Sequence, residues 1–481
     1  MSVRSNQVQF TSPQFRKLSD SQRERIHQAS LEILERTGVS LGEPEAVELL
    51  HRAGAYVAED GRVRLPASLV EWALALAPRR VVLSDRHGRR VMPLEGENVF
   101  YGPGSDCPNV IDVHTGERRE GTLEDVVEGS RVCDALPNID FLMSLNVPHD
   151  VPQAVADRYQ MRAMLANSTK PILAVTTSFQ GCVDVIKMAE AVVGGEDALR
   201  RNPLCAFYIN VAGPLRHDAE SLQKLLFLAA KGLPATYTPV VLRGLNGPVT
   251  LAGALALANA GELVGVVLAQ LKREGAPVII SGGTNDTVDM RYLGDVYAAP
   301  ENRVLFMELG HRYNLPLFGL GGASDAKLPD QQAAAEAALS LLTETLCGSH
   351  LVHDVGYLES GLTYSLEQLV ICDEFIGWVK RFMQGVGVSD EDLALDLIDQ
   401  LGPDGSYLGE AHTSRYFRAD WYPSLSDRQN YEGWLAEGGK SLRERANERV
   451  RQILAEHEPE PLPADVARAL DRIVRSATGT E

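Results

Sequence analysis

The chain has 481 residues, and its 65 acidic residues outnumber its 46 lysines and arginines, which gives a formal net charge of −19. This acidic balance argues against a nucleic-acid-binding protein, which needs a basic surface. Hydrophobic residues make up 44% and charged residues 23% of the chain, as in ordinary globular proteins. The sequence opens without a basic-then-apolar leader and contains no uninterrupted apolar run of membrane-spanning length, so we expect a cytoplasmic protein.

The six cysteines are widely separated and form no C-x-x-C pair, which predicts reduced, buried thiols rather than a disulfide framework or a structural zinc site. Cys347 and His350 stand at C-x-x-H spacing. Two ligands do not make a zinc site, so we interpret this pair as the end of a helix.

Residues 1–95 predict a small, mostly helical appended domain with a few short strands. Ser19 and Gln22 match a capping box, and a helical apolar stripe follows as far as Gly38. A second helix and two short extended segments, Val63–Leu65 and Val81–Leu83, complete this region.

Residues 96–388 alternate short strand-like runs with long helical stretches, the pattern of repeated βα units around a parallel sheet. Eight such runs start about 30 to 43 residues apart, which predicts a (β/α)8 TIM barrel whose last helix is Leu366–Met383. A doubly wound open sheet is the competing fold, but no phosphate-binding fingerprint follows the first strand. The eight runs are Asn98–Tyr101, Phe141–Leu145, Pro171–Thr176, Leu204–Asn210, Ala235–Thr238, Val278–Ser281, Leu315–Leu320 and Leu351–Val355.

Residues 389–481 predict a C-terminal helical extension. An acidic stretch from Ser389 to Asp392 comes first, and an aromatic segment, 416–422, follows it. Apolar residues at helical spacing from Leu442 to Leu454 then predict an amphipathic helix that packs on the barrel.

In a (β/α)8 barrel the active site lies at the carboxyl ends of the strands, so the polar residues that close the runs are the candidates. Amides, hydroxyls and glycines dominate them, which suggests a pocket that orients a small molecule. His353, beside Asp354, is either a core histidine or a site residue. Lys327 is either a Schiff-base nucleophile or a solvated lysine. Tyrosines near the strand ends can form an aromatic wall for a quaternary ammonium if they converge.

Three separated segments resemble the trimethylamine methyltransferase (MttB) superfamily, and the likeness covers nearly the whole chain. They are Ile33-Leu-Glu-Arg-Thr-Gly-Val, Gly319-Leu-Gly-Gly-Ala-Ser-Asp-Ala-Lys-Leu-Pro-Asp-Gln-Gln-Ala, and Gly409-Glu-Ala-His-Thr followed by Trp421-Tyr-Pro-Ser-Leu-Ser-Asp-Arg. The resemblance implies a (β/α)8 fold, in agreement with the count of βα units, and a methyltransferase activity.

Founding members of this family carry pyrrolysine in the loop after strand seven, where its imine is thought to hold the amine. The matching loop here contains Lys327 and Leu328, and the pyrrolysine position falls on Leu328 within one residue. Without the imine, nothing activates a tertiary amine. A quaternary ammonium already has an electrophilic methyl carbon and leaves as a neutral amine, so positioning and desolvation suffice.

The resemblance therefore implies the branch of the family that demethylates glycine betaine and related betaines. In that branch the cob(I)alamin of a separate corrinoid protein docks over the barrel mouth and accepts the methyl group, and this chain lacks the Asp-x-His-x-x-Gly motif that binds cobalamin. We also expect a homo-oligomer. A non-catalytic quaternary-ammonium binding protein and a Schiff-base barrel enzyme that uses Lys327 are the alternatives.

Five residues are predicted to bind the substrate. Tyr101 and Tyr357 are expected to form walls around the trimethylammonium group, and Asn210 to orient the substrate through its amide. His353 is expected to donate a hydrogen bond to the substrate carboxylate, with Arg243, just beyond strand five, as the alternative anchor for that carboxylate.

Overall fold

The computed structural model describes residues 15–281, 284–292, 294–419 and 422–479. The N-terminal region begins with the predicted capping box, in which the Ser19 hydroxyl accepts from the Gln22 N–H and the Gln22 side chain accepts from the Ser19 N–H. Its elements are α1 (Asp20–Arg36), β1 (Ser40–Leu41), α2 (Pro44–Arg52), β2 (Tyr56–Val57), β3 (Val63–Arg64), α3 (Ala67–Leu76), β4 (Val81–Ser84) and β5 (Arg90–Leu94).

All eight predicted strand runs belong to one barrel. Seven form a continuous parallel sheet in the order β6 (Phe100–Tyr101), β18 (Leu351–His353), β17 (Leu317–Leu320), β14 (Val278–Ser281), β12 (Ala235–Pro239), β10 (Cys205–Val211) and β9 (Ile172–Val175). The second run fills the gap between β9 and β6. Leu142 bridges Ile172 in parallel, and the Asp140 N–H donates to the Tyr101 carbonyl at 2.6 Å. The (β/α)8 prediction is therefore confirmed.

Each strand is followed by a helix of the outer ring, as βα units require. The ring helices are α4 (Leu123–Ala135), α5 (Ala156–Asn167), α6 (Phe179–Val193), α7 (Glu196–Arg201), α8 (Ala219–Lys231), α9 (Leu251–Lys272), α10 (Pro300–Tyr313), α11 (Gln331–Cys347) and α12 (Leu366–Met383). Helix α9 is long and apolar enough to cross a membrane, but 78% of its most apolar stretch is buried. The N-terminal helices cover it, and Ser30 on α1 donates to the Ala256 carbonyl at 2.9 Å.

Apolar side chains fill the amino-terminal half of the barrel interior. Parallel strands in register share a face, and Ala206 pairs with Leu173, Phe318 with Leu351, and Leu351 with Phe100 along the interior face. These residues belong to one buried cluster with the β4–β5 hairpin, which contributes Val81, Leu83, Met92 and Leu94. The hairpin therefore closes the amino-terminal end of the barrel.

Loops at the opposite end, the barrel mouth, form small sheets of their own. One contains β7 (Asn109–Ile111), β8 (Arg118–Glu120), β19 (Tyr357–Leu358) and β20 (Thr363–Ser365), from the loops after β6 and β18. Another contains β13 (Val241–Arg243), β15 (Thr284–Asp289) and β16 (Gly294–Asp295), and β11 (Arg216–His217) pairs with β1.

The C-terminal region is helical, as expected. It contains α13 (Asp390–Leu393), α14 (Leu395–Leu401), α15 (Ala411–Tyr416), α16 (Tyr431–Ala436), α17 (Leu442–Glu456) and α18 (Ala464–Thr478). Helix α17 packs on α4 and α12, and α18 packs on α5 and α6. All six cysteines are buried and free.

Candidate active site at the barrel mouth

The interior face of the barrel changes from apolar to polar as it approaches the mouth. On β10, Ala206 lies in the apolar cluster, Tyr208 is half-buried above it, and Asn210 is exposed at the strand end. Tyr208 is in register with Thr236, and Asn210 with Thr238, on the neighbouring strand β12. The mouth is therefore a cup with an apolar floor and polar walls.

His353 closes β18 and lies on the wall of this cup. Its ring stacks on Phe318, with the centroids 4.1 Å apart, and lies 6.2 Å from the Tyr208 ring. Nδ1 is 2.6 Å from the Gly319 carbonyl oxygen. A carbonyl only accepts, so Nδ1 carries the proton. Burial lowers the pKa of His353, which favours the neutral ring and leaves Nε2 as an acceptor.

Asp354 is held in an unusual backbone conformation next to His353. Its φ is 68°, a left-handed value that is uncommon outside glycine, although aspartate adopts it more readily than most residues. One carboxylate oxygen accepts a short hydrogen bond from the Tyr297 hydroxyl, and the other lies 3.5 Å from His353 Nε2. A Cβ at position 104 would lie 2.1 Å from this carboxylate, so Gly104 is required for its position.

Asp106 brings a second carboxylate to the mouth from the loop after β6. The Asp106 side chain is accessible to solvent, although protein atoms surround it on most sides. This combination is expected for a carboxylate that faces a cavity rather than open solvent. Desolvation, together with the negative charge of Asp354, raises the pKa of Asp106 to about 6. Desolvation is the largest cause that raises the pKa values of Tyr208 and Tyr297, and the negative charges of Asp106 and Asp354 raise them further.

We call the group formed by Asp106, Tyr208, Tyr297, His353 and Asp354 the acidic mouth. It combines two carboxylates, a histidine acceptor and two tyrosine rings. Such a set attracts cations, because carboxylates supply negative charge and aromatic faces supply a negative quadrupole.

The loop after β17 is braced by its own hydrogen bonds. The Asp325 carboxylate accepts from the Tyr297 N–H at 2.9 Å, the Ala298 N–H at 3.2 Å and the Ser360 hydroxyl at 2.8 Å. Asp325 therefore connects the loops after β14, β17 and β18. Lys327 and Leu328 in this loop are exposed, and Lys327 Nζ donates to the Asp325 carbonyl at 2.6 Å. An exposed lysine lacks the desolvation that a Schiff-base nucleophile needs, so the structure does not support that alternative.

Two predicted wall residues do not line the mouth. Tyr101 pairs in register with Val352 on the outer face of the barrel, and its hydroxyl lies 2.6 Å from Thr345 Oγ1 on α11. The structure therefore places this side chain between the barrel and α11 rather than in the barrel interior. Tyr357 is buried behind the mouth, where its hydroxyl donates to the Leu145 carbonyl at 2.9 Å and accepts from the Asp106 N–H at 3.0 Å. It positions Asp106 instead.

The structure places the other three predicted residues, His353, Asn210 and Arg243, at the mouth end of the barrel. His353 is in the cup, but its neutral tautomer offers an acceptor and not the expected donor. Asn210 is exposed on the interior face. Arg243 lies in β13, where Nη1 donates to the Val249 carbonyl at 3.3 Å.

Sequence reasoning missed the importance of Asp106 and Tyr297. The Gly102-Pro103-Gly104 turn directly after a strand is a signal that could have pointed to Asp106. No comparable signal exists for Tyr297, because a long loop separates it from β14.

The fold and the acidic mouth define a barrel enzyme with its site at the carboxyl ends of the strands. The chain matches the family model for trimethylamine methyltransferase (MTTB) over residues 1–478. It therefore belongs to the trimethylamine methyltransferase family and is a methyltransferase, as the three sequence segments predicted.

Named relatives match along almost the full chain. A trimethylamine methyltransferase MttB from Desulfitobacterium hafniense is 33% identical, covering 95% of this chain and 92% of the relative. A glycine betaine methyltransferase from another strain of that species is 30% identical, covering 96% and 97%. The crystal structure of the Methanosarcina barkeri monomethylamine methyltransferase (MtmB) is 12% identical, covering 93% of this chain and 90% of that chain with a TM-score of 0.47.

Proposed function

We propose that this protein removes an N-methyl group from a quaternary ammonium, glycine betaine or a related betaine, and transfers it to the Co(I) of a separate corrinoid protein. The observation that carries the proposal is the acidic mouth. A tetraalkylammonium has no N–H to donate, so carboxylates and aromatic faces are the groups that best match its diffuse charge. Asp106, Asp354, Tyr208 and Tyr297 are of these two kinds.

The chemistry of a quaternary ammonium fits the side chains in the loop after β17. Its methyl carbon is already electrophilic, and the leaving group is a neutral amine, so the protein needs to position and desolvate the substrate without activating it. Leu328, which matches the pyrrolysine position in the family resemblance, is an exposed hydrocarbon side chain with no electrophile. This substitution favours a quaternary substrate over trimethylamine.

The mouth is surrounded by exposed apolar side chains that fit a corrinoid carried by a partner protein. The corrinoid supplies a cobalt nucleophile that accepts the methyl group. The corrin ring carries methyl groups and amide side chains around its edge, and apolar contacts around an acidic cup would pack against the methyl groups and help to exclude water. Four loops provide this rim, through Leu245, Val249, Met290, Tyr292, Leu328 and Leu362.

Within the site, the residues of this chain hold the substrate. Asp354, fixed by Tyr297, is the proposed counter-ion for the ammonium, and Asp106 adds a second charge when ionised. Neutral His353 presents its Nε2 lone pair and does not compete as a cation. Asn210 is the proposed orienting amide, and Arg243 is the proposed anchor for a substrate carboxylate.

The test is calorimetric titration of the protein with tetramethylammonium, which carries the cationic group alone. Asp354→Asn keeps the side-chain shape and removes the charge, and we expect it to weaken binding about 10- to 100-fold. Asp197→Asn, on helix α7 beside the β4–β5 hairpin that closes the opposite end of the barrel, is the matched control and should bind like the wild type. Equal affinities for Asp354→Asn and the wild type, with the variant folded by circular dichroism, would refute the proposed cation site.

A further inference from the structure

A betaine carries a carboxylate as well as a cation, and the acidic mouth suits only the cation. The negative charges of Asp106 and Asp354 repel a carboxylate. The neutral tautomer of His353 presents a lone pair at Nε2, so it does not donate to one either. A betaine with its ammonium at the acidic mouth is therefore expected to turn its carboxylate toward the other side of the cup.

The strands β10 and β12 lie across the barrel from the strands that carry these charged residues. Around the closed ring of eight strands, β10 is four positions from β18, which ends in His353. Strand β12 is four positions from β6, which leads to Asp106. In an eight-stranded ring four positions are half a turn. Side chains at the mouth ends of β10 and β12 therefore face the two carboxylates across the cup.

The hydroxyl groups of Tyr208, Thr236 and Thr238 come together on this side, and we call them the hydroxyl side. Tyr208 is in register with Thr236, and Thr236 with Ile279, which belongs to the apolar floor. Parallel strands in register share a face, and residues two apart on a strand do so as well, so all three side chains lie on the interior face. The Tyr208 ring belongs to the acidic mouth, but its hydroxyl interacts with that of Thr238.

Thr236 indicates that the hydroxyl side is incomplete without a ligand. Its side chain is buried, and among the described residues its Oγ1 has no hydrogen-bond partner. An unpartnered buried hydroxyl destabilises a folded chain, so such groups are rare. Because Thr236 lies on the interior face, its missing partner comes from the cup, as a ligand oxygen or as a water molecule that bridges to one.

The rim above the hydroxyl side adds an amide and a positive charge. Asn210 is in register with Thr238 and is exposed, and Arg243 follows β12 in β13. Amide and guanidinium N–H groups donate to carboxylates, and the guanidinium also attracts them by its charge. This side of the cup therefore offers donors, as a carboxylate requires, whereas the acidic mouth offers acceptors and ring faces, as a quaternary ammonium requires.

We propose that a betaine lies across the cup, with its ammonium at the acidic mouth and its carboxylate at the hydroxyl side, where the hydroxyls of Tyr208 and Thr238 donate hydrogen bonds to it. Thr236 gains its partner when the carboxylate, or the water that bridges to it, is in place. This placement rests on the proposed betaine substrate, and it adds the subsite that distinguishes a betaine from a simple tetraalkylammonium.

Calorimetric titration with glycine betaine and with tetramethylammonium tests the subsite, because both probes carry the cation and only the first carries a carboxylate. The wild type should bind glycine betaine at least about tenfold more tightly. Tyr208→Phe keeps the ring, and Thr238→Val keeps the side-chain shape. Each should weaken glycine betaine binding about tenfold and change tetramethylammonium binding by less than about twofold.

Thr343→Val is the matched control. Thr343 lies on α11, outside the barrel, and its hydroxyl donates to the Leu339 carbonyl within the same helix. This variant should change the affinity for neither probe.

Thr236→Val separates a hydroxyl that serves the ligand from one that serves the fold. Removal of an unpartnered buried hydroxyl should raise the melting temperature of the ligand-free protein, while the affinity for glycine betaine should fall. A lower melting temperature with unchanged affinity for glycine betaine would show a structural hydroxyl and would count against the subsite.

Circular dichroism establishes that each variant is folded before its affinities are compared. A loss confined to glycine betaine in Tyr208→Phe or Thr238→Val supports the subsite. Unchanged affinity for glycine betaine in both variants overturns it, and so do equal losses for the two probes, while the cation site stands in either case. A wild type that binds neither probe overturns the subsite and the proposed function together.

Discussion

The two ends of the barrel interior differ in composition and in purpose. At the amino-terminal end, Leu83 and Met92 of the β4–β5 hairpin pack against Phe100 and Phe318 in a fully apolar cluster. At the mouth, two carboxylates lie close together, Asp354 has a left-handed backbone, and the pKa of Asp106 is raised to about 6. The apolar amino-terminal end stabilises the folded chain. The mouth holds buried carboxylates in positions that cost stability, as functional sites do.

The largest expected effect separates stability from binding. Leu83→Ala removes a fully buried side chain from the closed end, which should lower the free energy of unfolding by about 2–5 kcal/mol. Affinity for tetramethylammonium at a temperature where the variant is folded should be unchanged. Denaturant unfolding and calorimetry measure the two quantities. A matching loss of affinity would mean that the two ends are not independent.

The affinity of the site for a cation and the stability of the ligand-free protein should both depend on pH. Below about pH 6 the Asp106 carboxyl is protonated and neutral, so affinity for tetramethylammonium should rise about tenfold between pH 5 and pH 7. Because the folded pKa is raised, the stability of the ligand-free protein should fall as the pH rises from the ordinary carboxyl value through about 6.

Titrations in Asp106→Asn and in His353→Gln identify the source of this pH dependence. The first variant should bind with nearly flat pH dependence, and the second should keep the wild-type profile. If His353→Gln flattens the profile and Asp106→Asn does not, the assignment to Asp106 fails.

A smaller effect is expected from the aromatic wall. Tyr208→Leu keeps apolar bulk but removes the ring face, which should weaken tetramethylammonium binding by ~1 kcal/mol, about fivefold. Tyr101→Leu is the matched control, because that ring lies outside the barrel, and it should leave affinity unchanged. The same loss of affinity in both variants would show that the ring at 208 has no specific role.

The smallest expected effect is at Lys327. Lys327→Met should leave affinity and turnover within about twofold of the wild type, because the ammonium is exposed and contacts a backbone carbonyl of its own loop. Borohydride trapping with a carbonyl substrate should give no adduct. Loss of activity in this variant would reopen the Schiff-base alternative.

Most of the fold could be predicted from sequence, whereas the site could be predicted only in part. The eight strand runs are visible because each is short, apolar and followed by a helix-length segment. The sequence does not show whether a single side chain on a strand points into or out of the barrel, because an offset of one residue reverses its direction. For this reason the sequence predicts Tyr101 in the interior, although its neighbour Phe100 is the interior residue.

Contacts made by barrel closure are equally hidden in the sequence. Asp106 and Asp354 are far apart along the chain and meet because β6 pairs with β18. Tyr297 reaches Asp354 from a third loop, and the tautomer of His353 depends on the Gly319 carbonyl. Pairings of this kind follow from three-dimensional closure rather than from local pattern.

Anaerobic demethylation of a panel of betaines and trimethylamine with free cob(I)alamin, followed by the loss of Co(I) absorbance, tests the proposed methyl transfer itself. We expect loss of Co(I) with at least one betaine, none with trimethylamine, and strongly reduced turnover in Asp354→Asn. Demethylation of trimethylamine, or turnover of a betaine that is unaffected in Asp354→Asn, would contradict it.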